Sequence, residues 1–122
     1  MMAEKARVFG DADTRQLILA SDDPKEIKAL GRIVKNFDEN KWSQVAPDIV
    51  VKGNLYKFEQ SPELRSFLIN THGKVLVEAS PYDKIWGIGM QASEAGIGNP
   101  YNWRGTNLLG FALMEVRDML SI

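Results

Sequence analysis

Lys74-Val75-Leu76-Val77-Glu78-Ala79-Ser80-Pro81-Tyr82-Asp83-Lys84-Ile85-Trp86-Gly87-Ile88-Gly89 is the stretch on which the fold turns. Its opening residues set apolar side chains, two of them β-branched, between a lysine and a glutamate. That pattern predicts a β-strand over Lys74–Glu78, the most secure strand of the chain. From Glu78 to Gly89 the stretch gathers two acids, two aromatic side chains and two glycines. A carboxylate and an indole on a Pro- and Gly-rich turn at a strand end present reactive groups to a ligand. The competing reading is a structural turn in which Tyr82 and Trp86 simply pack.

Around this stretch the chain reads as helices. Met2, Ala6 and Phe9 share one face of a first helix over residues 1–9, which Gly10 ends. A second helix runs from Ala12 to Ala20. Ser21-Asp22-Asp23-Pro24 starts a third, with an acidic cap and proline at the first helical position. Ile27, Leu30, Ile33 and Val34 form its apolar face. Trp42, Val45, Ile49, Val50 and Leu55 keep a helical period to about Glu59, with Pro47 tolerable only near a first turn. Ser61-Pro62-Glu63 opens another helix, closed by Thr71-His72-Gly73. Thr106 to Leu120 is the last, with Leu109, Ala112, Leu113, Val116 and Leu120 inward.

At 122 residues the chain is one domain at most, and its 44% hydrophobic content is enough for a core. A net charge of −1 provides no strong basic field for nucleic acid. The absence of cysteine excludes disulfides, thiolate catalysis and cysteine metal sites, and the lone histidine, His72, excludes a His-rich metal cluster. No apolar run approaches the ~20 residues that span a bilayer, and no signal peptide is visible, so the expected compartment is the cytoplasm. Gly87-Ile88-Gly89 lacks the third glycine and following helix of a dinucleotide fingerprint.

A second window, Asn99-Pro100-Tyr101-Asn102-Trp103-Arg104-Gly105-Thr106-Asn107-Leu108-Leu109-Gly110, leads into Phe111-Ala112-Leu113-Met114-Glu115-Val116-Arg117. With Glu78–Gly89 it resembles the YbiA-like family, also called the NADAR (NAD and ADP-ribose associated) superfamily. The shared pattern is E-A-S-P-x-D-x-x-W-G-I-G, then W-x-G-x-N-L-L-G, then L-M-x-V-R. Lys57–Arg65 resembles the family's K-F-x-Q-x-P-x-L-R, and Met2–Ala6 its short lysine-bearing helix. The resemblance spans essentially the whole chain. It implies an α+β fold, mainly helices around a small β-sheet, which agrees with the helix count. It also implies a preceding segment with strands and an active-site glutamate. The chain opens inside a helix without that segment, which leads to two expectations: a frayed first helix with a solvated Lys5, and weak or absent activity.

Several residues are candidates for chemistry. Asp83 orients a ribose hydroxyl or activates water at the anomeric carbon, or else it forms a turn by bonding its own backbone. Glu78 bonds ribose hydroxyls or pairs with an arginine such as Arg104. Trp86 reads as a ligand wall, Trp103 as wall or core alike, and Trp42 as core. Asn107 begins the last helix, whose free N–H groups offer a phosphate site, and Thr106 is the more natural cap. Arg104 and Lys57 are phosphate partners by charge. Lys5 is a solvated lysine on composition alone. The resemblance implies a nucleophile that forms an imine with the opened ribose.

The activity implied is hydrolysis of an N-glycosidic bond in a phosphorylated ribosyl or ADP-ribosyl small molecule. The family's substrates include early riboflavin-pathway intermediates and ADP-ribose on guanine in nucleic acid. Asp83, Lys5 and Glu78 would be catalytic, and Trp86, Trp103, Arg104 and Asn107 would bind substrate, with no metal and no cofactor required. The alternative is an ADP-ribose or nucleotide-binding module without turnover. A third reading is an inactive fragment that dimerises through exposed core. Oligomeric state is not legible in the sequence.

Overall fold

The computed structural model describes residues 1–121. Its helices are α1 (Met2–Val8), α2 (Ala12–Leu19), α3 (Pro24–Arg32), α4 (Glu39–Gln60), α5 (Pro62–Ile69) and α6 (Leu108–Leu120), with one 3₁₀ turn over Pro100–Asn102. The chain divides into two compact units, Met1–Ile49 and Val50–Ile122, with the division inside α4.

The first unit is built by its caps. The Asp11 carboxylate accepts from the Thr14 N–H at 3.1 Å and starts α2. The Asp23 carboxylate accepts from the Lys25 N–H, with Pro24 at the first position of α3, as the sequence signal predicts. The apolar faces then bury Ala6, Phe9, Ile18 and Val34, with Trp42 packed against them. Phe9 meets Phe37 edge-on, with ring centroids 5.3 Å apart. Pro47 departs from expectation: it lies inside the 22-residue α4, well past the first turn. Its missing N–H removes one ladder bond from the middle of the helix.

In the second unit Leu68, Val116 and Leu120 form the core, with Val51, Leu55, Phe58, Leu76 and Leu113 against them. Each side chain of this kind stabilises the fold by about 1.5–3 kcal/mol when fully buried. Ser61 caps α5 through the Leu64 N–H. The apolar stripe of α6 is the one its sequence period predicts, through Ala112, Val116 and Leu120.

The expected sheet is not there. Among the described residues every regular element is helical, so the α+β reading gives way to an all-helical one. Lys74–Glu78 carries no strand pairing. The reason lies in where its hydrogen bonds go. The Asn107 side-chain amide donates to the Leu76 carbonyl at 2.9 Å and accepts from the Glu78 N–H at 3.0 Å. Arg117 donates to the Lys74 carbonyl at 2.8 Å. Two side chains of the α6 region thus take the place of a neighbouring strand, and the carboxamide bonds as one residue of a parallel strand would. Alternation of side chains reports an extended backbone but not who satisfies it.

Candidate functional site

The motif residues of the second unit converge on the start of α6. The Glu78 carbonyl accepts from the Ile88 N–H at 3.0 Å, closing the Glu78–Gly89 stretch into a loop. The following window docks against that loop. The N–H groups of Arg104, Thr106 and Asn107 donate to the carbonyls of Ile88, Lys84 and Gly87, at 2.8, 2.9 and 2.9 Å. Gly105 is needed at this docking, because a Cβ there would run into the Gly87 carbonyl and the Lys84 backbone.

Asp83 is half-buried and faces its own turn. One carboxylate oxygen accepts from the N–H groups of Ile85 at 3.0 Å and Trp86 at 2.8 Å. This sets the backbone that aims Trp86, which is itself half-buried. Glu78 is also half-buried, and its carboxylate makes no hydrogen bond or ion pair among the described residues. Its side chain lies beside Gly87.

Arg104 does not pair with Glu78, one of the two roles open to that acid in the sequence. Its guanidinium binds both carboxylate oxygens of Glu94, at 2.7 and 3.0 Å, and donates to the Gly89 carbonyl at 3.2 Å. The Arg104 guanidinium, with the Gln91 N–H, holds the Glu94 carboxyl below the usual carboxylate range. Glu94 lies in a Gly- and Ser-rich run without a motif, so no local signal marked it.

Asn107 is fully buried at a left-handed φ of 53°, and its amide is committed to the Lys74–Glu78 segment. The helix start beside it is not open to a phosphate. The N–H groups of Leu108 and Leu109 donate to the carbonyls of Ile85 and Trp86, at 3.1 and 3.0 Å. Thr106 is not the cap, because its hydroxyl donates to the Ile85 carbonyl. Arg117 was missed as a positioning residue, although it ends the L-M-x-V-R motif. It is buried, and beyond Lys74 it also donates to the Thr71 carbonyl at 2.8 Å.

Trp103 is half-buried, and its indole N–H donates to the Ile97 carbonyl at 2.8 Å. Its ring helps to line an apolar depression of about 280 Å³ with Val75, Val77, Ile97 and Pro100.

Lys5 belongs to the first unit and is neither frayed nor fully solvated. Its ammonium donates to the Gly31 carbonyl at 2.7 Å and lies 4.5 Å from the centroid of the Phe37 ring. Burial lowers its pKa below the ordinary lysine value. Packing of α1 holds it, with the adjacent Ala6 fully buried.

The NADAR domain family model matches residues 1–121. An N-glycosidase of Acanthamoeba polyphaga mimivirus is 47% identical over 119 residues, covering 97% of this chain and 69% of that protein. N-glycosidase YbiA of Shigella boydii is 32% identical over 118 residues, covering 97% of the chain and 67% of the relative. A chloroplastic riboflavin biosynthesis protein, PYRR, of Arabidopsis thaliana is 33% identical over 110 residues, covering 87% of the chain and 16% of the relative. No described helix is long and apolar enough to cross a membrane.

Proposed function

This chain belongs to the NADAR domain family, and from that premise we propose that it is an N-glycosidase acting on a phosphorylated ribosyl or ADP-ribosyl substrate. The observation that carries the reading is the 47% identity to a protein named N-glycosidase along 97% of this chain. The riboflavin-pathway relative supports an early ribosyl phosphate intermediate of that pathway as a substrate, with ADP-ribosyl-guanine in nucleic acid as the second class.

Lys5 is the proposed nucleophile. A lysine with a lowered pKa holds more free amine near neutral pH than a solvated one. The amine attacks C1 of the ribose, the C1–N bond to the base breaks, and the base leaves with a proton. The ribosylamine so formed opens its ring: the C1–O4′ bond breaks, the remaining N–H proton passes to O4′ and a C1=N imine results, which water hydrolyses to return the amine and release the sugar. Gly31 supports this role by holding the amine in one place before attack.

Of the two acids, Glu78 is the better proposed acid–base or ribose-binding group, because its carboxylate is uncommitted. Asp83 is proposed to act through the turn it builds, with Trp86 as the wall against the substrate. Trp103 and Arg104, within the docked window, are proposed to bind substrate, and Asn107 is proposed to position Glu78 rather than touch substrate.

Release of free base, followed by chromatography, tests the activity on both substrate classes. Borohydride added during turnover should leave a reduced ribosyl adduct on Lys5, detectable by mass spectrometry. Glu78→Gln should abolish base release. Asp83→Asn keeps the turn's oxygen acceptor and should retain most of it. Tight binding of ADP-ribose without any base release from either substrate would replace the enzyme with a binding module.

A further inference from the structure

We infer that Phe37 is a positioning residue for the proposed N-glycosidase reaction: its ring face holds the positive charge that gathers on the Lys5 nitrogen as the bond to C1 forms. This role rests on Lys5 being the nucleophile. Lys5 and Phe9 lie four residues apart on one face of α1. Phe37 meets both. Its ring centroid is 4.5 Å from the Lys5 ammonium and 5.3 Å from the Phe9 centroid, with the rings edge to face. Phe9 is buried in the core of its unit, with Trp42 packed against that core, so apolar contacts anchor the ring beside the lysine. The turn that delivers Phe37 is fixed on both sides. The Asp11 carboxylate accepts from the Lys35 N–H at 3.0 Å, and Asn36 takes a left-handed φ of 62°. The Asp38 carboxylate accepts from the Asn40 N–H at 2.9 Å as α4 starts.

The other contact of the ammonium is the Gly31 carbonyl, in the last turn of α3. A helix C-terminus favours a cation, and so does a ring face. No carboxylate pairs with Lys5 among the described residues. Glu4 pairs with Arg7 on α1, Asp11 takes Thr14 and the Lys35 N–H, and Glu26 of α3 takes the Ser21 hydroxyl. The Lys41 ammonium lies over the Phe9 ring. Charge on Lys5 Nζ is therefore met by one carbonyl and one ring. The carbonyl needs an N–H, and Nζ loses N–H groups along the reaction. Nζ gives its lone pair to C1 and is cationic until one proton leaves with the base. The ribosylamine keeps one N–H and the imine none. The imine regains charge when a proton from water reaches it for hydrolysis. The ring needs no N–H, because it responds to the charge itself. While Lys5 rests as an ammonium, the ring favours reactant and transition state alike, and its effect cancels. Once Lys5 rests as a free amine, the ring favours only the transition state. Burial lowers the Lys5 pKa and brings that range closer to neutral pH.

The test replaces Phe37, in the whole chain, by phenylalanine carrying one, two or three ring fluorines. Fluorine withdraws charge from the ring face with little change of shape. Single-turnover base release and acetic anhydride labelling of Lys5, read by mass spectrometry, are followed from about pH 6 to 11. Labelling needs no substrate. It should show Lys5 giving up its proton at lower pH with each fluorine, by about two- to fivefold in proton affinity over the series. Below that pH, base release should be equal across the series. Above it, release should fall with each fluorine, by about two- to fivefold in all. A ring that only packed would leave the labelling midpoint in place and would not split the rates by pH. Phe37→Tyr keeps the ring face and should match wild type in both measurements. Equal rates at high pH across the series overturn the proposal, as does a labelling midpoint that fluorine does not move. Base release without a borohydride adduct on Lys5 refutes the nucleophile and this role with it. An adduct that forms equally fast throughout the series at high pH refutes this role alone. If neither substrate class releases base, ribose 5-phosphate with cyanoborohydride gives the same comparison, because that reagent reduces the protonated imine of the free sugar with Lys5. Equal trapping across the series at high pH then overturns the proposal, and a stepwise fall supports it.

Discussion

Replacing Asn107 by alanine should cost far more than the loss of one polar surface residue. Asn107 is 0% exposed, and its amide holds both the Leu76 carbonyl and the Glu78 N–H. Alanine leaves both backbone groups without a partner, each worth about 1–3 kcal/mol where water cannot reach. It also puts a Cβ residue with no compensating side chain at a φ of 53°. That adds about 1 kcal/mol. The expected loss is about 4 kcal/mol, a large part of the ~5–15 kcal/mol that holds a typical domain. With a urea slope near 2 kcal/mol/M the unfolding midpoint should fall by about 2 M. Two further variants apportion the loss. Asn107→Gly removes the bonds without the backbone strain and should recover about 1 kcal/mol. Asn107→Asp keeps the acceptor for Glu78 but sets an oxygen against the Leu76 carbonyl, so it should fall between wild type and alanine or below. Urea melts followed by circular dichroism give the energies. Hydrogen exchange at the Glu78 amide gives the location. An alanine variant within about 1 kcal/mol of wild type would refute the idea that this amide stands in for a missing strand.

Gly110→Ala should destabilise the protein by about 1–3 kcal/mol or prevent folding, because its Cβ would meet the Leu76 carbonyl and the Asn107 amide; thermal melting checks this. Asp11 has a carboxyl pKa lowered by hydrogen bonds from the Lys35 N–H first and then Thr14. Its contribution to stability is therefore complete above the ordinary aspartate pKa and is lost as pH falls through the lower folded value. Acid titration of Asp11→Ala should show a flatter decline than wild type below about pH 4. Lys5 has its pKa lowered by burial, so the folded state releases its proton first. Stability should rise as pH climbs from that lowered value towards the ordinary lysine range, and Lys5→Met should lose this rise. If the amine is the nucleophile, turnover should climb with pH to a plateau below the ordinary lysine pKa, and Lys5→Arg should be inactive while still folded.

The helices and the family were legible in the sequence because their signals are local. Asp23-Pro24 and Ser61-Pro62 announce α3 and α5 within one turn, and the caps they predict are present. The period of α6 likewise names the residues that reach the core. The motif from Glu78 to Gly89 and the window ending in Arg117 place the chain in its family without any coordinates. What only the tertiary structure decided is who satisfies each polar group. The partners of Lys74–Glu78 sit 29 to 43 residues further along the chain, on Asn107 and Arg117, so no window around the valines could show that the strand lacks a sheet. Glu94 rather than Glu78 meets Arg104 because the folded loop brings it there. Lys5 is held by Gly31, 26 residues away. Hydrogen-bonding capacity and side-chain period are properties of a residue and its near neighbours. Which distant donor fills a given acceptor depends on where packing brings the chain back to itself.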